Sequence, residues 1–305
     1  MANIHGDEGS EKSLDRRLLA SAVLNVAITL AEFVGGIFAG SLALLADATH
    51  NLSDVVALLL AMGARVLGRR PPSRHHTYGL KRVEVLAALL NALVLLLITA
   101  FIAREALHRL LHPEPVRSGL MLAVALVALA ANVISVLLLH RHERKDLNVK
   151  SAFLHMVQDA LASLAVVVAA LFAHTSVGIY LDPVASLVVG FAVLLSALSI
   201  VSDSLGMLVE AVPKGMDLHE LMESVDRRFA PARMHHVHVW EVGPGQRVLT
   251  AHVSVRDISV AESESLFKSI RRFLMEEWSI GHVTLEAEVD GCGGDPDCGA
   301  PAQRP

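Results

Sequence analysis

Aromatic residues make up only 4% of this 305-residue chain, and cysteine is scarcer still, with Cys292 and Cys298 alone near the C-terminal end. Few aromatics leave Leu, Ala and Val to carry a hydrophobic content of 53%. That is richer than the roughly 45–50% of soluble domains and suits helices in lipid better than a sandwich core. Two cysteines exclude a disulfide framework. There is no excess of positive charge: 26 Lys and Arg stand against 31 Asp and Glu, a formal net charge of −5, which gives no reason to expect nucleic acid as a partner. No HExxH motif occurs, so the usual helical zinc-hydrolase pattern is missing and the chain does not read as an enzyme. No cleavable signal peptide is expected, because residues 1–17 are polar and the apolar run after them exceeds any h-region.

Long apolar runs are plentiful. A membrane span needs about 20 mostly apolar residues, and six stretches qualify: 18–40, 42–67, 83–107, 119–139, 149–173 and 183–209. The connections alternate in charge. Lys12, Arg16 and Arg17 precede the first span. Arg69, Arg70, Arg74, Lys81 and Arg82 lie between the second and third, and Arg141, Arg144, Lys145 and Lys150 between the fourth and fifth. The connections after the first and fifth spans carry no Lys or Arg, and only Arg109 and Arg117 follow the third. Basic loops stay cytoplasmic, so both termini are expected in the cytosol. Short loops suggest a bacterial inner membrane.

From Pro213 the pattern becomes that of a small soluble domain. Residues 217–229 and 260–278 read as amphipathic helices, and 234–242, 248–255 and 282–289 alternate as strands. Gly243-Pro244-Gly245-Gln246 is a turn between the first two strands. The expected architecture is an all-α six-helix membrane bundle followed by a cytoplasmic α/β cap of order αββαβ. Its expected divisions are a cytoplasmic segment 1–17, a transport domain 18–210, a cytoplasmic domain 211–290 and a disordered tail 291–305.

The chemistry lies in ionisable groups inside the spans, which cost roughly 2.5–3.5 kcal/mol each and so face partners or a water path. His50 and Asp54 stand at i, i+4 in the second span, as do His155 and Asp159 in the fifth, so each pair shares a helical face. At about 1.5 Å per residue, His50 and Asp54 lie roughly 12 and 18 Å below the outer edge. His155 and Asp159 lie roughly 9 and 15 Å above the inner one. In a core of about 30 Å the pairs meet near the midplane. Two imidazoles and two carboxylates make a four-coordinate site that Zn²⁺ accepts, and the carboxylates neutralise a dication. Isolated intramembrane His or Asp could instead be helix–helix hydrogen bonds, but matched pairs at matched depth favour a metal. Asp47, with Glu32 and Asn25 of the first span, reads as a polar packing network or proton path.

Several runs carry a resemblance. The stretch 41–54, SLALLADATHNLSD, resembles the second-span signature of the cation diffusion facilitator family. So do 151–159, SAFLHMVQD, the Asp182-Pro183 pair, 208–213, LVEAVP, the His238-Val239-Trp240 run, 249–252, LTAH, and 282–286, HVTLE. The likeness covers nearly the whole chain. It implies a homodimer of six-helix protomers with ferredoxin-like cytoplasmic domains, exchanging cytosolic metal for protons by alternating access. The His/Asp set resembles the zinc-type branch; Co²⁺ and Cd²⁺ are alternative cargoes. The resemblance also places metal ligands of a cytoplasmic site at His235, His252, Glu286 and Glu288, with His238 and His282 close by, against the bland reading of a solvated polar face. Hairpin register cannot be read from sequence, so which of His235, His236 and His238 joins His252 stays open. The loop 73–79 resembles the family's variable site, where His75 and His76 are the available ligands; a basic membrane-surface loop is the alternative. His140 and His142 are all that the loop after the fourth span offers. Cys292 and Cys298 are expected as reduced thiols of a disordered tail without a defined site; a soft-metal site is the alternative.

Two readings from other classes compete with a zinc/proton antiporter: an intramembrane metallohydrolase, disfavoured without HExxH, and a membrane-anchored metal sensor, which has no use for four ligands at mid-membrane. The charge asymmetry makes a topology prediction. Cysteines substituted at Arg74 and His142 should label only from the cytosolic side, and one at Thr175 only from outside; outside labelling at Arg74 would reverse the topology.

Overall fold

The computed structural model describes residue 23 and residues 25–68, 73–140, 147–175 and 177–289. The expectations resting on Lys12, Arg16, Arg17, Arg69, Arg70, Arg141, His142, Arg144 and Lys145 lie outside the described residues. So do those for the first 17 residues and for the tail with Cys292 and Cys298. The chain divides into two compact units, one of Met1–Leu59 with Leu90–Val201 and one of Leu60–Leu89 with Ser202–Pro305.

The helices are α1 (Asn25–Ala39), α2 (Leu42–Gly68), α3 (Arg82–Leu111), α4 (Ser118–His140), α5 (Leu147–Phe172) and α6 (Leu181–Leu208), the last preceded by a short 3₁₀ turn, Gly178–Tyr180. Among the described residues, four helical stretches are long and apolar enough to cross a membrane: Arg82–Leu111, Ser118–Leu137, Phe153–Phe172 and Gly178–Leu208. Asn25–Ala39 is a shorter apolar helix. Their outward residues are apolar, with Leu97 73% and Phe101 65% exposed; a surface this greasy is stable against lipid, not water.

Inside the first unit the seam is built from small side chains. Ala39, Ala43, Ala125, Ala169, Ala170 and Ala185 are buried around Leu44, Met121 and Val166. Small residues let helix backbones approach where lipid gives no hydrophobic drive between helices. At Gly35 a Cβ would stand 2.7 Å from a Val124 methyl, so only glycine admits this approach of α1 to α4. Gly40, with φ +69, turns the chain from α1 into α2 in a conformation that side-chain-bearing residues avoid. The Arg109 guanidinium donates to the Gly40 carbonyl at 2.5 Å. The Arg117 amide donates to the Ala39 carbonyl at 2.9 Å. The last turn of α3 and the residue before α4 thus hold the same corner.

The second unit contains α7 (Leu218–Arg228), β1 (Arg233–Glu241), β2 (Arg247–Ser254), α8 (Val260–Trp278) and β3 (Ile280–Glu288). Asp217 caps α7 by accepting from the His219 and Glu220 amides, and Ser259 with Glu262 forms a capping box on α8. The sheet order is β1-β2-β3, with β1 antiparallel and β3 parallel to β2. A parallel neighbour needs a crossover, and α8 supplies it. Leu221, Val225, Leu249, Val253, Ile270 and Leu274 form its core. Within this unit Arg82 pairs with Glu210 at 2.6 Å, and the Tyr78 ring meets His282 edge-on with centroids 5.7 Å apart.

Candidate metal centres

The i, i+4 pairs on α2 and α5 face each other in the first unit. His50 Nε2 is 3.7 Å from Asp54 Oδ2 and 3.8 Å from Asp159 Oδ1. His155 Nε2 is 3.2 Å from Asp54 Oδ2 and 3.6 Å from Asp159 Oδ2. The imidazole rings stand edge-on, centroids 5.8 Å apart. Nitrogen and oxygen donors therefore alternate around a ring. In a tetrahedral site with bonds of about 2.0–2.1 Å, neighbouring donors lie about 3.3 Å apart. The four nitrogen–oxygen edges run from 3.2 to 3.8 Å; ligand atoms of His50, His155 and Asp159 lie within 4.8 Å of one another, and Asp54 joins that group through the two imidazoles. Asp159 is 1% exposed, and among the described residues neither of its oxygens accepts a hydrogen bond. A buried carboxylate left this way needs a cation or a proton. The four side chains border a cavity of about 440 Å³, with Gln158 and Ser196 as further polar lining and Val189 and Val193 as apolar wall.

Beside this ring lies a second buried polar group. Asn51 donates to Glu32 Oε2 at 3.1 Å, Ser163 to Asp47 Oδ2 at 3.4 Å, and Asn132 to Ser163 at 3.2 Å. Glu32 and Asp47 are both fully buried, and Glu32 Oε1 and Asp47 Oδ1 have no hydrogen-bond partner among the described residues. Asn25 is not drawn in: its side-chain oxygen has no hydrogen-bond partner among the described residues, while its carbonyl accepts from Thr29.

The second unit gathers a separate His/Glu cluster. His235 pairs across the hairpin with His252, which lies beside Glu286 on β3. His235 Nε2 is 2.9 Å from Glu288 Oε2, and His252 Nδ1 is 2.6 Å from Glu288 Oε1. Glu286 stands further off, 3.7 Å from His252 Nε2. Between His235 and His238 the register slips, two residues of β1 facing Ala251 alone. This bulge re-aims the chain. It puts His236 at φ 49, with its ring 4.6 Å from His252 and 4.9 Å from His238. Both His235 and His236 thus meet His252, which answers what the sequence left open. His282 is engaged by Tyr78. His75 and His76 are exposed, with His76 Nδ1 3.4 Å from Ser73 Oγ; among the described residues no third ligand joins them.

The sequence reading named Asp182 only within a resembling pair. The structure buries it against the first turn of α2, where it accepts from Ser41, Leu42 and Ala43. A buried acid opening a helix was the one signal available.

Comparison with known proteins agrees with this architecture. The cation efflux transmembrane domain matches residues 18–209, and the cytoplasmic domain of cation efflux proteins matches residues 211–289. The chain belongs to the cation efflux family. It is 41% identical to zinc transporter ZitB of Escherichia coli K12 over 303 residues, 98% of this chain and 96% of the relative. It is 33% identical to metal cation efflux system protein CzcD of Cupriavidus metallidurans, covering 91% and 88%. It is 31% identical to the cadmium, cobalt and zinc/H(+)-K(+) antiporter of Bacillus subtilis 168, covering 93% and 91%.

Hydrogen bonds from His235 and His252 hold the Glu288 carboxyl below its usual range. A lowered value adds stability that is complete above the ordinary Glu pKa of about 4.3 and disappears as pH falls through the folded value. In metal-free protein, thermal stability should therefore fall on acidification below about pH 4.3. Glu288→Gln should lose less stability than the parent over the same steps. Identical acid slopes in both proteins would show that Glu288 carries none of the effect.

Proposed function

We propose that this chain exports cytosolic Zn²⁺ in exchange for protons by alternating access. His50, Asp54, His155 and Asp159 are its mid-membrane ion site. The observation that carries the proposal is the alternating ring of two imidazole nitrogens and two carboxylates, a donor set that suits a borderline metal. Two carboxylates cancel the charge of a dication, and two imidazoles favour zinc-like ions over the hard cations that oxygen-only sites prefer. Co²⁺ and Cd²⁺ satisfy the same donors. The names of the relatives point the same way, to transporters of zinc, cadmium and cobalt and to proton antiport, and none describes an enzyme.

The wider reading has six spans within residues 18–210 and a ferredoxin-like cytoplasmic domain at 211–290. Residues 1–17 and the tail 291–305 are cytoplasmic in this reading. The protein is a homodimer in a bacterial inner membrane, and the match to the family's cytoplasmic domain supports the pairing. His235, His252 and Glu288, with Glu286 at their edge, hold a regulatory zinc whose donors come from three strands of one sheet.

Proton exchange follows from ligand chemistry. An imidazole binds metal only with a free nitrogen lone pair, so protons and zinc compete for His50 and His155. Glu32 and Asp47, buried acids beside the ring, support a neighbouring proton path. In proteoliposomes with cytoplasmic domains outward, an acidic lumen should accelerate zinc uptake, and uptake should expel protons. Asp159→Ala should abolish both. Zinc flux that ignores an imposed pH gradient and moves no protons would leave a uniporter.

A further inference from the structure

The N-terminus of α2 is capped twice. Ser41 occupies the cap position, and its hydroxyl oxygen accepts from the Leu44 amide at 3.2 Å, which is sufficient as a local cap. Asp182, 2% exposed at the first turn of α6, adds a second set. Its Oδ2 accepts from the Leu42 amide at 2.9 Å. Its Oδ1 accepts from the Ala43 amide at 3.3 Å and from the Ser41 hydroxyl at 2.5 Å. A buried carboxylate at the positive end of a helix is a strong, charge-assisted partner. What it adds to the helix is a fixed connection to α6.

That connection bears on the ion site. His50 lies eight residues beyond Leu42, about 12 Å along a stiff helix. Slipping the helix by one residue at the cap would move His50 by about 1.5 Å along the axis and turn it by about 100°. The donor edges of 3.2–3.8 Å leave no room for such an error. The corner preceding α2 is also gripped at Gly40 and Ala39 by Arg109 and Arg117, so Asp182 completes a clamp around one end of the ligand-bearing helix.

We propose that Asp182 is a positioning residue for transport, setting the height and rotation of His50 and Asp54 against His155 and Asp159 by tying α2 to α6. This rests on the reading that those four side chains hold the transported ion. The test measures zinc flux against concentration in proteoliposomes of the full chain. Asp182→Ala keeps the Ser41 cap; its zinc KM should rise tenfold or more, with maximal flux falling by a smaller factor. Ser41→Asp combined with Asp182→Ala moves the carboxylate onto α2 itself, capping the helix without touching α6. That double variant should recover the parental melting temperature while its KM stays raised. Parental KM in Asp182→Ala, or recovery of KM in the double variant, would reduce Asp182 to a cap and overturn the proposal. If Asp182→Ala alone fails to fold, the double variant decides by the same criterion. Asp159→Ala is measured alongside. Normal zinc flux there overturns the ligand assignment and this proposal with it. Abolished flux there, with parental KM in Asp182→Ala, overturns the positioning role only.

Discussion

A carboxylate removed from water loses solvation worth several kcal/mol, and a cation, a proton or several hydrogen bonds must offset that loss. Asp159 is in this position: it is buried, accepts no hydrogen bond among the described residues, and faces two imidazole nitrogens at 3.6 and 3.8 Å. The surrounding arrangement can be understood as keeping that carboxylate near partners without collapsing onto it. The opposing Asp54 approaches the same imidazoles from α2, so carboxylate and imidazole donors alternate. A divalent ion would satisfy such a set, and so would protons. This interchangeability is what an exchanger requires.

Holding such a site open needs a stiff frame. Alanines and a glycine bring α1, α2, α4 and α5 close enough to lock by contact rather than by hydrophobic drive. Asn51 reaches Glu32 on α1, and Asn91 on α3 reaches the Ser53 carbonyl and hydroxyl, so the polar residues beside each ligand on α2 anchor that helix sideways. The Asp182 cap fixes it lengthwise. The His/Glu cluster of the second unit relies on a sheet instead. There a bulge and a parallel crossover strand bring side chains distant in sequence onto one patch.

Local periodicity carried most of what the sequence disclosed. An i, i+4 spacing places His50 with Asp54 and His155 with Asp159 whatever else the chain does, and hydropathy marks the helices that surround them. Alternation marks the strands of the second unit to within two residues of where they lie. Information about contacts between elements was another matter. Nothing local says that Asp182 caps a helix 140 residues earlier, that His236 turns left-handed opposite Ala251, or that His282 is engaged by Tyr78. The side-chain oxygen of Asn25, grouped with Glu32 and Asp47 as a polar residue of the first span, has no hydrogen-bond partner among the described residues.

Everything in the ion site turns on the identity of the donors around the transported ion. X-ray absorption on zinc-loaded full-length protein tests it, with the second cluster disabled by His235→Ala and His252→Ala. The expected result is four nitrogen and oxygen neighbours at about 2.0 Å with the outer-shell scattering of two imidazoles, falling to one in the further His155→Ala variant. Six-coordinate zinc, sulfur in the first shell, or an imidazole count that ignores His155 would contradict it.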